Sequence, residues 1–491
     1  MNFIDNVIGW IAPQAALKRV QARAAIRAYE GSANTRRTKG WGKSTGSVNQ
    51  EIKRALPTLK ARSRDLTQNN TYARRAVQAI ANNTVGTGIQ PVCENIEGKN
   101  SERLMKYWRS WAHNRVCDFD GLTNFWGLQK MVMRMVVQDG EVIIRKRATT
   151  DKKYPLKLQV VSSDFIDSSR DESIELSDGG GYITQGFEFN KDGQRVAVFL
   201  FDRHPSERYA ESKRVSLTDC IHVFLPEFAG QVRGVPWSSA SMRRLKDYDD
   251  YEDAELVRQK IAACYMGFIT DPQGSATAYS TQENIDVAER FEPGMIEVLS
   301  PGKTIEFASP PVTQGYSDYA RKVLQGAAAG YGISYEVLTG DLSGVNFSSG
   351  RMGWLEFQRN INEWQSQMLI PMFCDVVWDW FSAYAAVKGV ITQNQREEIL
   401  CMWTAPRREM IDPSKEVKAK SDEIRSGLIS WSEAIRQNGG DPDDVAEELG
   451  EDYARFDKYG LKLACDPRWD AGKGPEAAET VEAATSDQDS E

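Results

Sequence analysis

Six carboxylates fall within nine residues of KDYDDYEDAE: Asp247, Asp249, Asp250, Glu252, Asp253 and Glu255. On a helix, Asp253 lies one turn from both Asp249 and Asp250, and a face of that kind could hold two divalent cations for metal-dependent nuclease chemistry. Six acids exceed what such a site requires. Metal ligands normally come from separate rigid elements, and no histidine accompanies these. A solvated acidic helix face is the ordinary alternative. A third is a face that acts only when many copies surround something anionic.

KGWGKSTG, residues 39–46, ends like a phosphate-cradling loop. A true P-loop needs glycine five residues before Gly42, where Arg37 stands, and a buried strand before the loop, where the chain reads YEGSANTR. A flexible basic linker fits better. HNRVCDFDG, residues 113–121, brings His113, Cys117, Asp118 and Asp120 close in sequence but lacks calcium-loop spacing, so it reads as a polar turn before a helix at 124. His204 and His222, near Cys220, fall in or beside strands and read as packed or hydrogen-bonded side chains. No cofactor is implied.

The elements that must position these residues follow from periodicity. Residues 64–85 predict a helix with Tyr72, Ala73, Ala76, Val77 and Ile80 on one face and Gly86 at its end. Leu104, Trp108 and Trp111 form a second helical stripe, and Leu128, Val132 and Val136 a third. Strand-like runs follow at EVIIRKR, LKLQVV, and GYITQGFEF joined to RVAVFLFD by the turn Asn190 to Gly193. Residues 50–235 therefore read as an α+β domain.

Helical spacing returns at Leu245, Tyr248, Tyr251, Ala254, Val257 and Ile261, and again at Tyr316, Tyr319, Val323 and Ala327. Between them, Met295–Leu299 and Thr304–Phe307 flank a Pro-Gly turn. TGDLSGVNFSSGR, residues 339–351, predicts a mobile loop, and a long amphipathic helix kinked at Pro371 comes next. The remaining folded part reads as helical, with Asp412-Pro413 and Asp441-Pro442 as starts and Ser430 three before Glu433.

Composition narrows the class. With 41% apolar residues and 48 aromatics, 13 of them Trp, the chain reads as folded and soluble, and its length suggests about three domains. Seven scattered cysteines without a C-x-x-C predict neither a disulfide framework nor a zinc site and point to a reducing compartment. The N-terminus lacks a secretory pattern, and Asp375 and Asp379 interrupt the most apolar late stretch, so no membrane segment is expected. Net charge is −8 but uneven. A basic arm carries Lys18, Arg19, Arg23, Arg27, Arg36 and Arg37, whereas the last 21 residues hold six acids against Lys473.

Taken in order, several stretches carry a resemblance: ARSRDLTQNNTYARRAVQAIANNTVGTGIQP, CDFDG, DGEVIIR, GGYITQGFEFNKDGQRVAVFLFDRHP, GQVRGVPW, RLKDYDDYEDAELVRQKIAAC and GYGISYEVLTGDLSGVNFSSGR. Together they resemble the lambda-type portal proteins of tailed bacteriophages. The resemblance implies an α+β portal fold closed into a ring of roughly twelve subunits at one capsid vertex, in the virion, after assembly in the host cytoplasm. Its implied partners are terminase, the major capsid protein and scaffold, a head-completion or tail connector protein, and double-stranded DNA without sequence specificity.

The layout it implies is a basic arm (1–49), wing (50–236), first stem helix (237–265), β-rich clip (266–312), second stem helix (313–338), tunnel loop (339–350), long kinked helix completing the wing (351–390), helical crown (391–470) and acidic disordered tail (471–491). In portals a separate terminase hydrolyses the nucleotide, so KGWGKSTG needs no phosphate role. Asp249, Asp250 and Asp253, if turned to the channel, would repel DNA phosphates and favour sliding. Asp341, Ser343, Asn346 and Ser348 in the tunnel loop would offer weak, sequence-blind contacts. Another virion adaptor ring and the metal-dependent nuclease are the competing readings.

Overall fold

The computed structural model describes residues 46–94, 99–151, 153–174, 181–207, 211–263, 267–270, 304–307, 315–408, 412–461 and 463. Outside them lie the basic-arm residues from Lys18 to Arg37, residues 39–45, Met295–Leu299, most of 266–312 and the acidic tail. The chain divides into two units at Glu51/Ile52; of the first, only residues 46–51 are described.

The helix expected from 64 to 85 is two helices, α1 Val48–Asn69 and α2 Thr71–Val85. Asn70 makes the break: its backbone is extended and its side-chain oxygen accepts from Ala73 N at 2.8 Å, capping α2. Ala73, Ala76, Val77 and Ile80 are buried as their spacing predicts. The second and third stripes become α3 Lys99–Ala112 and α4 Phe125–Asp139. Before α4, the buried Asp118 carboxylate accepts from the amides of Asp120, Leu122 and Thr123, so CDFDG is a self-satisfied polar turn.

Two sheets follow. In the first, β2 Glu141–Ala148 lies between β3 Leu156–Ser162 and β9 Cys220–Phe224. The second runs β4 Glu172–Ile174, β5 Gly181–Thr184, β6 Phe187–Phe189, β7 Arg195–Phe201 and β8 Ser212–Ser216, each antiparallel to the next. GYITQGFEF is not the single strand that its apolar pattern suggests. Gln185 (φ 52°) and Gly186 (φ 84°) turn the chain into a two-residue hairpin. The turn at Asn190 does form, its side-chain oxygen accepting from Asp192 N and Gln194 N.

Strand β2 partitions two cores. Val142 and Ile144 face the helical core, where Trp108 meets Trp111, Phe125, Trp378, Phe381 and Trp403 at ring separations of 4.8–6.1 Å. Ile143 faces the other way, into a smaller core with Phe187, Val198 and Leu200. Burial on both faces explains why EVII reads as a continuous apolar run instead of alternating.

The long helix starts as α8 Phe347–Glu363 and ends as α9 Asp375–Val387. Around Pro371, where a kink was expected, the backbone adopts an eleven-residue π-helix, Trp364–Cys374. Its wider i→i+5 ladder, seen in Asp375 N to Ile370 O, takes the place of the bond that proline cannot donate. Gln365 ties this segment to α2 through Thr84 O at 2.6 Å.

The C-terminal part is not wholly helical as expected. After α10 Gln393–Glu398, strand β12 Leu400–Thr404 returns to pair antiparallel with β1 Gln90–Glu94. Helices α11 Pro413–Arg425, α12 Trp431–Gln437 and α13 Pro442–Tyr459 begin at the expected caps Asp412, Ser430 and Asp441. Among the described residues no helix is long and apolar enough to cross a membrane.

Candidate functional site

Two helices carry the acidic cluster and its counterpart: α5 Met242–Ala263 and α6 Tyr316–Tyr331. They form an antiparallel hairpin. At its base, a Cβ on Gly330 would lie 2.0 Å from Ser241 Oγ, which donates to Ala327 O at 2.9 Å; one turn along, a Cβ on Gly326 would lie 2.5 Å from Arg244. Glycines four apart thus let the backbones approach. Further out, the Tyr251 ring meets Tyr319 at 4.9 Å and Tyr316 at 5.8 Å. Beyond the helices, β10 Gly267–Thr270 pairs antiparallel with β11 Thr304–Phe307.

The six acids do not converge. Asp249 accepts from Asn70 Nδ2 at 2.7 Å, Glu252 from Tyr316 Oη at 3.3 Å, and the nearly buried Glu255 from Arg258 Nε at 2.8 Å. Asp247 and Asp250 are exposed and sit 3.7 Å and 2.8 Å from Arg243 and Lys246, one turn earlier. The Asp250 hydrogen bond raises the Lys246 pKa. Asp253 is exposed. Among the described residues no three His, Cys, Asp or Glu side chains are grouped to hold a metal ion. Asp249 therefore faces the protein, and the outward acids are Asp247, Asp250 and Asp253.

The same hairpin leaves Leu256, Val257 and Tyr319 about half exposed, at 49%, 53% and 47%. The apolar spacing that predicts α5 is therefore only half satisfied within one chain. Leu245 and Tyr248 are buried; Val257 is not.

The glycine- and serine-rich segment is shorter than expected. Helix α7 Tyr335–Thr339 ends at Gly340 in the left-handed conformation (φ 76°), and α8 already begins at Phe347. Asn346 caps α8: its side chain accepts from Ser349 N at 2.8 Å, and Ser349 Oγ accepts from Asn346 N at 3.1 Å. Ser348 thus lies in the first helical turn, exposed, and the loop proper is 340–346.

That loop is bonded to itself. Asp341 accepts from Ser343 Oγ at 2.6 Å, Ser343 N at 3.0 Å and Tyr335 Oη at 3.1 Å, bonds that lower its pKa. Arg321 lies over the Tyr335 ring, and a Cβ on Gly344 would lie 2.9 Å from its guanidinium. Arg75 reaches the other side through Val337 O at 2.9 Å. Neither arginine was identifiable as a loop partner in sequence, because both belong to distant helices with no local signal.

The family model for the phage portal protein, lambda family, matches residues 34–365, through the hairpin and the loop. The probable portal protein of Halomonas phage phiHAP-1 is 24% identical, covering 89% of this chain and 88% of its own. Portal protein B of Escherichia phage lambda is 22% identical, covering 88% and 90%. Among solved structures, a chain in the virion of a native gene transfer agent particle aligns with TM-score 0.47 at 15% identity, over 83% of this chain and 98% of that one. The structural score lies below 0.5, so the assignment rests on the sequence matches. By the family match over two thirds of its length, the chain belongs to the lambda family of phage portal proteins.

Proposed function

We propose that copies of this chain close into a ring of about twelve at a single capsid vertex and serve as the DNA conduit for packaging and ejection. In this reading terminase docks on the ring during packaging and a head-completion or tail connector protein afterwards, while capsid protein and scaffold surround it. Portal proteins of this family are structural phage components and not enzymes. The observation that carries the reading is the family match, which runs unbroken through the α5/α6 hairpin and the loop at 340–346.

The geometry supports particular assignments. The hairpin is the stem, β10 and β11 root the clip, residues 340–346 form the tunnel loop, and the helices after Asp412 form the crown. Leu256, Val257 and Tyr319 are half exposed in one chain and would be covered by a neighbour's hairpin. Asp247, Asp250 and Asp253, not Asp249, are the exposed acids that would face a channel; a lining that withholds cations from phosphate denies DNA the counterion release that would hold it in place. Ser343 and Asn346 shape the loop, leaving Ser348 as the exposed hydroxyl near DNA.

Locating the chain in particles tests the reading. Imaging of virions carrying a tagged copy should place it at one vertex, in the virion neck; signal spread over all vertices, or confined to the tail, would contradict the assignment.

A further inference from the structure

The cysteines are scattered through the sequence, yet the fold sets two of them side by side. Cys93 on β1 and Cys401 on β12 are direct partners in the antiparallel register. Opposed residues of antiparallel strands project to the same face, with Cα atoms about 5.5 Å apart at a hydrogen-bonded pair or about 4.5 Å at the other kind. Both spacings fall inside the roughly 4.4–6.8 Å range that a disulfide bridges without moving backbone. Both thiols are free, half-buried and packed against the helical core, where Cys93 Sγ lies 3.4 Å from Met105 Sδ. Two residues along the same face, Trp403 Nε1 donates to Asp375 at 2.6 Å and fixes β12 against α9.

We propose that Cys93 and Cys401 are a redox modification site, a cross-strand dithiol that closes to an intramolecular disulfide when the protein meets a small-molecule disulfide of the oxidised-glutathione class. One cysteine thiolate attacks the small disulfide, forming a mixed disulfide and releasing one small thiol. The second cysteine thiolate then attacks the protein sulfur of that bond, forming the Cys93–Cys401 linkage and releasing the other small thiol. The two cysteine protons end on the two released thiols, the protein loses two electrons and the small disulfide gains them. The linkage would pin the strand that leads into the C-terminal helices to the strand that follows α2.

The surroundings set the rate. Burial pushes the Cys93 thiol up to about 12, with Asp441 adding to the effect. Cys401 is pushed higher still by burial, with Cys93, Asp375 and Cys374 facing it. With both thiols pushed up, closure accelerates by about tenfold per pH unit between roughly pH 7 and 9, because the thiolate fraction follows hydroxide throughout that range.

The test uses the full-length protein incubated with oxidised glutathione, capped with iodoacetamide, digested without reductant and read by mass spectrometry. A peptide pair linked through Cys93 and Cys401, forming about tenfold faster per pH unit, is expected, together with a melting temperature raised by roughly 4 °C. In Cys401→Ser the linked pair should vanish and Cys93 should accumulate as a glutathione adduct. Three outcomes would each overturn the proposal: Cys93 and Cys401 both recovered alkylated, both recovered as stable glutathione adducts in the unmutated protein, or either one linked to Cys374 instead.

Discussion

Glu141 begins β2 and is completely buried, a position that a carboxylate occupies only with partners. Arg233 Nε lies 3.0 Å from both its oxygens, and Gly234 N and His222 Nε2 each lie 3.0 Å from one of them. His222 Nε2 donates to Glu141 while its Nδ1 accepts from Arg195 at 3.3 Å, the pattern of a neutral ring. Burial raises the Glu141 pKa, but Arg233 and His222 outweigh it and hold the group well below the carboxylate range; burial pushes His222 down. Both depressed values act with one sign. The unfolded chain binds protons that the folded one refuses, so stability is full above about pH 6.5 and falls on acidification, first through His222 and below about pH 4.3 through Glu141. Glu141→Gln leaves Arg233 buried without its counter-charge and should cost about 3–5 kcal/mol, read as a lower denaturant midpoint. His222→Phe should remove the loss between roughly pH 6.5 and 5; an unchanged acid profile would refute it. This cluster was not legible in sequence, because its members lie 81 and 92 positions from Glu141 and none belongs to a local motif.

At the scale of elements, what could be read was whatever depends on near neighbours. The caps at Asp412, Ser430 and Asp441 and the Asn190 turn are short-range chemistry and stand where their residues predict. The hairpin at Gln185-Gly186 was hidden because glutamine is no turn signal; its left-handed backbone is imposed by the strands on either side. Strand β12 was hidden because its partner is β1, far away in the chain, and the true start of α8 because a capping box looks like loop composition. The close approach of α5 and α6 gives a prediction of its own. Gly330→Val places carbon 2.0 Å from Ser241 Oγ at a buried contact and should destabilise the chain by about 1–3 kcal/mol, whereas Gly193→Ala, in an open turn with nothing within 4 Å, should cost only its left-handed strain. Thermal melts of both variants check the contrast. Asn70→Ala removes the α2 cap together with the Asp249 bond, and a loss of about 1–2 kcal/mol is expected.

For the whole molecule, charge and assembly meet on the hairpin. Of the six acids on this helix, the sequence suggested Asp249, Asp250 and Asp253 as channel-facing; the fold spends Asp249, Glu252 and Glu255 on internal bonds and leaves Asp247, Asp250 and Asp253 outward. Asp250→Asn with Asp253→Asn should therefore slow DNA packaging while rings still form, and packaging at an unchanged rate would remove the acids from the account. Asp249→Asn should instead weaken the contact with α2, lowering the melting temperature. Removing 342–345 should impair retention of packaged DNA more than ring formation, since that loop is held locally by Asp341, Tyr335 and Arg321. All of this depends on many copies sharing one axis, and electron microscopy of the purified full-length chain tests that most directly. The account predicts closed rings of about twelve subunits with an open axial passage wide enough for duplex DNA; a stable monomer, or a ring whose centre is permanently filled, would contradict it.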